Sequence, residues 1–380
     1  MRICFVSTYP PIECGIGTYT KYLTDELKLL NNEIYIVSQI GAQGKNVFPA
    51  YSVESNEIAS QIFNTSTKIT PDLVHIQHEY GLYGLLKGVQ IVDLIARYRM
   101  IDTQVAVTLH TVGEKLERQE KIILGNIVSE SSAVIVHEEF QKDTLVGYFG
   151  YEEKIHIIPH GVRNVNVVQD AKKKLHIENK KAILLCGYFR PTKGFHKIVD
   201  IFTEVCRKLD DVVLIVAGKM RGGYEHLDYQ RKFFNAVSNS PVSDKIIVLR
   251  GQFPQYTFDT ILSASDIAVL PYEKGSQSGI LAQCTAFNKP VVTSNLKGLK
   301  NWLDASGCGL VANDDSEYTN HICRLLTDTK LYNQCKANMR RYVKEKVNWG
   351  KIAKAHREIY HKIANVPCAT SEYIYWQEPS

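Results

Sequence analysis

The stretch Ile267–Thr293, IAVLPYEKGSQSGILAQCTAFNKPVVT, reads as a complete structural unit. Ile267–Leu270 is a continuous apolar run of strand length, and Pro271 ends it. A loop follows, and its last part, Gly275–Ser278, carries no charge. Gly279 to Phe287 has the composition of a helix, Asn288 stops it, and Pro290 opens a second apolar run. Two apolar strands joined through a helix are parallel neighbours in a sheet buried on both faces. The first amides of that helix lack partners within it, so its start carries partial positive charge and favours an anion.

The same rhythm runs outward from this unit. Towards the amino end of its series stand Ala182–Cys186, Val212–Ala217 and Ile246–Leu249; before a polar stretch at 164–181 stand Ile3–Val6, Ile34–Val37, Leu73–Ile76, Val105–Leu109, Ala133–Val136 and Ile155–Ile158. Helical patterns lie between them. The first puts Ile16, Tyr19, Leu23, Leu27 and Leu30 on one stripe, and the last does the same with Trp349, Ile352, His356, Ile359, Tyr360 and Ile363. Strands alternating with helices make a doubly wound α/β sheet, and the restart makes two of them. The expected domains are 1–170, 171–346, and a carboxyl-terminal helix and tail at 347–380. Ligands of such sheets bind beyond the carboxyl ends of the strands, so function is sought in the loops that follow strands.

Bulk properties narrow the class. A chain of 380 residues exceeds what one core usually serves, and 44% hydrophobic with 22% charged residues is the composition of a folded protein. A net charge of +5 from 45 basic and 40 acidic residues gives no concentrated excess of the kind nucleic acids select. The runs Lys172–Lys174 and Lys180–Lys181 read most simply as solvated surface. Nine single cysteines, with no Cys-x-x-Cys pair, fit a reducing compartment, and the expected location is the cytoplasm. The amino-terminal MRICFVSTYPP has too short an apolar run for a secretory signal, and no later stretch reaches the roughly 18 to 20 residues that span a bilayer. Peripheral membrane contact stays open, as does a homodimer.

Four loops carry candidate chemistry. In Ser7–Thr20, Gly15 and Gly17 remove side chains at the mouth of a helix, which permits close approach of a polar ligand or simply a tight turn. The third glycine of a dinucleotide fingerprint is absent. His110 ends the strand Val105–Leu109, and His78, Glu79 and Tyr80 follow another strand of the same sheet. Gly187 ends the strand of LLCGYFRPTKG, residues 184–194, with Arg190 and Lys193 before the next helix. Paired cations at a strand end suit a diphosphate, and two solvated surface cations are the alternative. The fourth loop is the one opened above. With no Asp-x-Asp pair and no ligand cluster for Mg²⁺ or Zn²⁺, a negative leaving group would be neutralised by protein cations and dipoles, so no metal or other cofactor is expected.

These pieces together resemble the type-B glycosyltransferases of family four, mostly retaining enzymes that use nucleotide sugars. The resemblance runs through Cys14–Thr20, Thr108–His110, Ile157–Val162, Gly187–Gly194, Val216–Gly218, Ala264–Pro271, Ala286–Val292 and Gly307–Val311. It implies two Rossmann-like domains facing across a cleft, with the donor held mainly by the second and the carboxyl-terminal helix crossing back to the first. It implies that Gly15 and Gly17 close over the phosphates, that His110 contacts the donor sugar, and that Lys193 binds the diphosphate.

Three positions depart from the family. Tyr188 stands where an arginine is usual, which leaves that charge to Arg190; Gly275 and Gln283 stand where two glutamates are usual. Gln283 can still accept from ribose hydroxyls through its amide oxygen. Either Glu273 reaches the sugar from two residues earlier, or amides of Gln277–Gly279 hold it, and the amides are favoured because a charge-free loop does not repel the diphosphate. The expected donor site is therefore Gly15, Gly17, Gly187, Arg190, Lys193, Glu273, Ser276, Gln277, Ser278, Gly279, Ile280 and Gln283. His110, Arg190 and Lys193 carry catalysis, and His78, Glu79 and Tyr80 face a glycan or other hydroxyl acceptor. Mannosyl transfer from GDP-mannose with retention is the expected reaction, with a UDP-sugar, or a sugar-nucleotide binder without catalysis, as alternatives. A type-B epimerase or phosphorylase fits less well.

Overall fold

The computed structural model describes residues 1–220, 224–251, 253–275 and 278–364, with backbone only at 224–226. It separates into two compact units: Met1–Pro159 together with the chain from Trp349, and His160–Asn348. The first unit is built on seven parallel strands: β1 (Arg2–Val6), β2 (Glu33–Gln39), β3 (Val47–Tyr51), β4 (Leu73–His78), β5 (Gln104–Leu109), β6 (Ala133–Val136) and β7 (Ile155–Ile157). Their order is β3-β2-β1-β4-β5-β6-β7. Every residue of β4 and β6 is buried, as strands covered on both faces require. The direction of winding reverses between β1 and β4, so the loops after these strands diverge and leave room for a ligand.

The second unit repeats the plan with β8 (Lys181–Cys186), β9 (Val212–Gly218), β10 (Ile246–Arg250), β11 (Ile267–Leu270), β12 (Val291–Ser294) and β13 (Gly309–Ala312). The order is β10-β9-β8-β11-β12-β13, all parallel, with the reversal between β8 and β11. Each unit is thus the doubly wound α/β sheet expected from the sequence.

Two strands were not foreseen, and both are sheet edges. β3 contains Pro49 and is partly exposed, and β13 starts at Gly309 and is mostly half-buried. An edge strand need not be apolar throughout and tolerates proline, so neither shows the continuous apolar run that marks the interior strands. The first helix, Gly15–Leu29, also differs from its expected stripe. Tyr19, Leu23 and Leu27 are buried, but Ile16 is only half-buried, and the second buried row is Thr20 and Thr24. Both threonines satisfy their hydroxyls locally, Thr20 on the Ile16 carbonyl and Thr24 on that of Lys21, which lets polar residues occupy a core-facing row. The helix Trp349–Ile363 buries Trp349, Ile352, Ala353, His356, Ile359 and Tyr360, and its buried face joins the core of the first unit with Phe5, Tyr19 and Leu23. Among the described residues no helix is long and apolar enough to cross a membrane.

Candidate active site

In the second unit the candidate donor residues gather at the carboxyl ends of β8, β9 and β11. Backbone geometry brings them there. Gly187 follows β8 with φ of +139°, a conformation side chains avoid. A Cβ on Gly218, at the end of β9, would lie 1.8 Å from the Gly187 carbonyl oxygen, so glycine is required for the two strand ends to meet. Gly194, with φ of +68°, closes the turn Pro191–Lys193, and a Cβ there would lie 1.9 Å from the Pro271 carbonyl oxygen. The amides of Glu273 and Lys274 donate to the Thr192 carbonyl, which pins the loop after β11 to that turn.

Lys193 sits at the centre of this packing. Its Nζ lies 3.5 Å from the ring centroid of Tyr272, a buried residue whose hydroxyl is 3.2 Å from Ser278 Oγ. Ser278 caps the helix Gly279–Ala286, its Oγ accepting from the Leu281 amide, and the first turn of that helix contains no acidic residue. Burial, and then the Arg190 guanidinium nearby, lower the Lys193 pKa to about 8. Among the described residues no carboxylate pairs with this ammonium. A largely buried cation beside a second cation and the positive end of a helix is electrostatically incomplete without an anion. Gly187, Arg190, Lys193, Ser278, Gly279 and Ile280 therefore belong to one neighbourhood; Ser276 and Gln277 lie outside the described residues.

Two other donor candidates are engaged elsewhere. Glu273 pairs with Lys197 at 3.1 Å and with His196 at 3.3 Å. Gln283 accepts at Oε1 from Arg163 Nε at 2.7 Å, and Arg163, nearly buried, also makes a bidentate pair with Asp259 and lies 5.2 Å from the Phe287 ring centroid. An arginine can only donate, so the Gln283 carbonyl must face it and the amide N–H groups are the ones turned away. Arg163 and Asp259 were missed in the sequence; a lone arginine after Pro-His-Gly-Val carries no signal of a partner about a hundred residues away.

In the first unit, the two glycines of the first loop part company. A Cβ on Gly17 would stand 3.3 Å from Thr8 C and O and Tyr9 N, so this glycine serves close packing of the helix on the loop after β1. Around the ideal Cβ of Gly15 nothing stands within 4 Å, which leaves that backbone approachable.

The polar ends of β4 and β5 do converge. The His110 amide donates to the His78 carbonyl, and Thr111 Oγ1 donates to Glu79 Oε2 at 2.7 Å. His78 is buried edge-on to Tyr80, neither ring nitrogen has a hydrogen-bond partner, and burial lowers its pKa to about 4, which keeps it neutral. The Tyr80 hydroxyl is likewise buried and without a partner. His110 is buried with its Nε2 2.9 Å from Gln77 Oε1 and its Nδ1 3.4 Å from Nε2 of His137. His137 Nδ1 lies 2.9 Å from the Ile158 carbonyl oxygen. Gln77 and His137 were missed. A signal existed: Thr108 pairs with Ile135 across β5 and β6, so histidines two residues beyond each fall side by side.

Two family models match the chain, Glycosyltransferase Family 4 over residues 14–164 and Glycosyl transferases group 1 over residues 167–342. The putative glycosyltransferase YtcC of Bacillus subtilis is 24% identical over 263 residues, which is 64% of this chain and 63% of that protein. The phosphatidylinositol N-acetylglucosaminyltransferase GPI3 subunit of Saccharomyces cerevisiae is 24% identical over 204 residues, 53% of this chain and 43% of that protein. The chain thus spans less than two thirds of the length of these relatives. Among solved structures, sucrose-phosphate synthase from Thermosynechococcus elongatus superposes with a TM-score of 0.77 at 16% identity, covering 95% of this chain and 98% of the other. Anabaena HepE in complex with UDP and glucose gives 0.75 at 14% identity, covering 95% and 100%.

Proposed function

As the chain belongs to the type-B glycosyltransferases of the family-4 type, we propose that it moves a hexosyl group from a nucleoside-diphosphate sugar to an acceptor hydroxyl, with retention and without a metal. One observation carries the donor class: Lys193, a largely buried ammonium beside Arg190 and the start of the helix Gly279–Ala286, with no acidic partner among the described residues. A departing diphosphate gathers negative charge, and fixed cations and amides of this kind stabilise it without reorganising at the moment of transfer. His110 is the residue that the sequence resemblance assigns to the sugar as it becomes oxocarbenium-like, and His78, Glu79 and Tyr80 are those assigned to the acceptor.

The geometry at Gln283 and Glu273 refines the reading. With Gln283 turned by Arg163, this side chain offers N–H donors to a ligand, in addition to whatever its second carbonyl lone pair accepts. With Glu273 drawn to Lys197 and His196, the sugar is left to the amides at the start of the helix. The sequence resemblance favours GDP-mannose. The ligands of solved relatives, UDP with glucose in HepE and UDP-2-fluoroglucose in an Escherichia coli trehalose-6-phosphate protein, favour a UDP-hexose as the second reading.

Calorimetric titration with a panel of nucleotide sugars, followed by assay of nucleoside-diphosphate release with hydroxyl acceptors, tests the proposal. Saturable donor binding lost in Lys193→Ala, with release that depends on acceptor, is the expected result. Binding without turnover on any acceptor would make the chain a sugar-nucleotide binder; no binding at all would sink the donor class.

A further inference from the structure

Two lysines of the second unit are largely buried, and in both burial lowers the pKa to about 8. Their surroundings are opposite. Lys289 Nζ donates to the carbonyls of Ser263 and Ser265 at 3.0 and 2.5 Å, at the end of the helix Gln255–Ala264, and the Asp266 carboxylate favours its charge. This ammonium is satisfied as a cation. Lys193 Nζ lies 3.5 Å from the Tyr272 ring centroid, has no hydrogen-bond acceptor among the described residues, and is acted on by the Arg190 guanidinium. The turn that carries it is pinned by Gly194 and by the amides of Glu273 and Lys274 on the Thr192 carbonyl, which holds the backbone of this lysine in place.

An ammonium has three donors and no acceptor, so a Lys193 cation stands against a second cation with nothing to receive its hydrogens. A lysine desolvated beside another cation is the arrangement that makes an amine nucleophilic. About a tenth of Lys193 is free amine at pH 7, against well under a thousandth of an ordinary lysine. The other polar groups of the neighbourhood are donors. Ser278 Oγ takes the Leu281 amide, and the amides of Gly279 and Ile280 at the start of the same helix have no acceptor among the described residues. Tyr188 lies with its ring centroid 5.2 Å from Arg190, and Glu273 is drawn to Lys197 and His196. Burial keeps the Tyr272 hydroxyl, and the thiols of Cys186 and Cys284 near it, from ionising near neutral pH.

We propose that Lys193 is a carbamylation site: its free amine takes up carbon dioxide reversibly, and the carbamate anion is held by Arg190 and the start of the helix Gly279–Ala286. The nitrogen lone pair attacks the carbon, a C–N bond forms as one C–O π pair moves onto oxygen, and the displaced proton goes to solvent. The side chain turns from a cation into an anion. Repulsion by Arg190 becomes attraction, and the carbamate oxygens accept from groups that only donate. Carbon dioxide is small and uncharged, which suits an amine too buried for bulkier acylating agents. At Lys289 the same reaction sets an anion against two carbonyl oxygens and Asp266, so the surroundings select the site, not the readiness of the amine. The carbamate takes the place of the donor's diphosphate, so carbon dioxide and donor exclude one another; this consequence rests on the reading of Lys193 as the partner of that diphosphate.

The test exposes the full chain to isotopically labelled bicarbonate and carbon dioxide at about pH 8, near the lysine midpoint. Carbamates are trapped as esters with a trialkyloxonium salt and mapped by mass spectrometry, beside calorimetric titration of inorganic pyrophosphate with and without carbon dioxide. The adduct on Lys193 should exceed that on Lys289 by about tenfold or more, and Arg190→Gln should lower it by about threefold or more. Where half of Lys193 is carbamylated, the apparent pyrophosphate Kd should rise about twofold. No adduct on Lys193, or equal adducts on the two lysines, overturns the proposal, and that wild-type ratio decides alone if Arg190→Gln fails to fold. A full adduct with pyrophosphate binding unchanged leaves the carbamate standing and overturns instead the meeting of Lys193 with the diphosphate.

Discussion

The ends of β8 and β11 in the second unit and the ends of β4 and β5 in the first place chemistry in opposite ways. At the first of these, backbone shapes the candidate site: glycines at 187, 194 and 218 let strand ends and loops approach to contact, and Arg190 and Lys193 bring positive charge, the ammonium of the latter largely buried. At the second, side chains of a fully buried strand, His75, Gln77 and His78, carry the polarity, and they are neutral. The first arrangement is cationic, which favours an anion. The second is self-satisfied along most of its length, which suits orienting a neutral sugar hydroxyl rather than binding a charge.

The contrast breaks first at Lys193. Lys193→Ala should weaken donor binding or turnover by roughly 10- to 150-fold, since hydrogen bonds to charged groups contribute about 1.5 to 3 kcal/mol. A loss below threefold in calorimetry and in turnover would mean that the cation does not meet the diphosphate. The pH dependence follows from the same residue. Burial and Arg190 depress the free ammonium to about 8, and a bound diphosphate raises it, so binding takes up a proton between the two values. Donor affinity should be full below that pH and fall, towards about tenfold per unit, as the pH rises above it. Proton uptake is checked by titration in buffers of different ionisation enthalpy; affinity unchanged to pH 9.5 would count against a depressed lysine.

A pair of glycines separates packing from ligand approach. Gly194→Ala must place a methyl group into the Pro271 carbonyl at a left-handed position, and thermal unfolding should show a loss of about 2 kcal/mol or more. Gly15→Ala meets no atom within 4 Å, and its unfolding should stay within about 0.5 kcal/mol of wild type. Equal losses in the two would show that the first loop is packed more tightly than its geometry indicates.

These differences also explain what the sequence disclosed. Interior strands announce themselves because burial on both faces forces continuous apolar runs, as in Ile267–Leu270 and Ala133–Val136. The edge strands Val47–Tyr51 and Gly309–Ala312 escape for the converse reason. The gathering of Gly187, Lys193 and Ser278 was legible because glycine, a strand end and a helix start are local features. Gln77 and His75 were not, since a polar residue inside an apolar run looks like an interruption until its partner on the next strand is known. Arg163 is the extreme case, because its meaning lies wholly in Asp259 and Gln283.

The smallest expected effect tests whether the charge-free character of the donor loop is real. Glu273 sits two residues before Gly275, the position at which the sequence resemblance implies a glutamate. Its Oε1 is held between Lys197 and His196, both groups being more than a third exposed, so the pairs contribute little to stability. If amides alone hold the sugar, Glu273→Gln removes only these surface pairs, and turnover should change by less than about threefold, the scale of a pair worth under 1 kcal/mol. If the carboxylate instead leaves Lys197 to accept from a sugar hydroxyl, its loss removes a charged hydrogen bond, and turnover should fall by about tenfold or more. Steady-state turnover of Glu273→Gln beside Lys197→Gln separates the cases: a sugar-binding Glu273 gives a large loss in the first variant and a small one in the second, whereas a purely structural pair gives two small and similar changes.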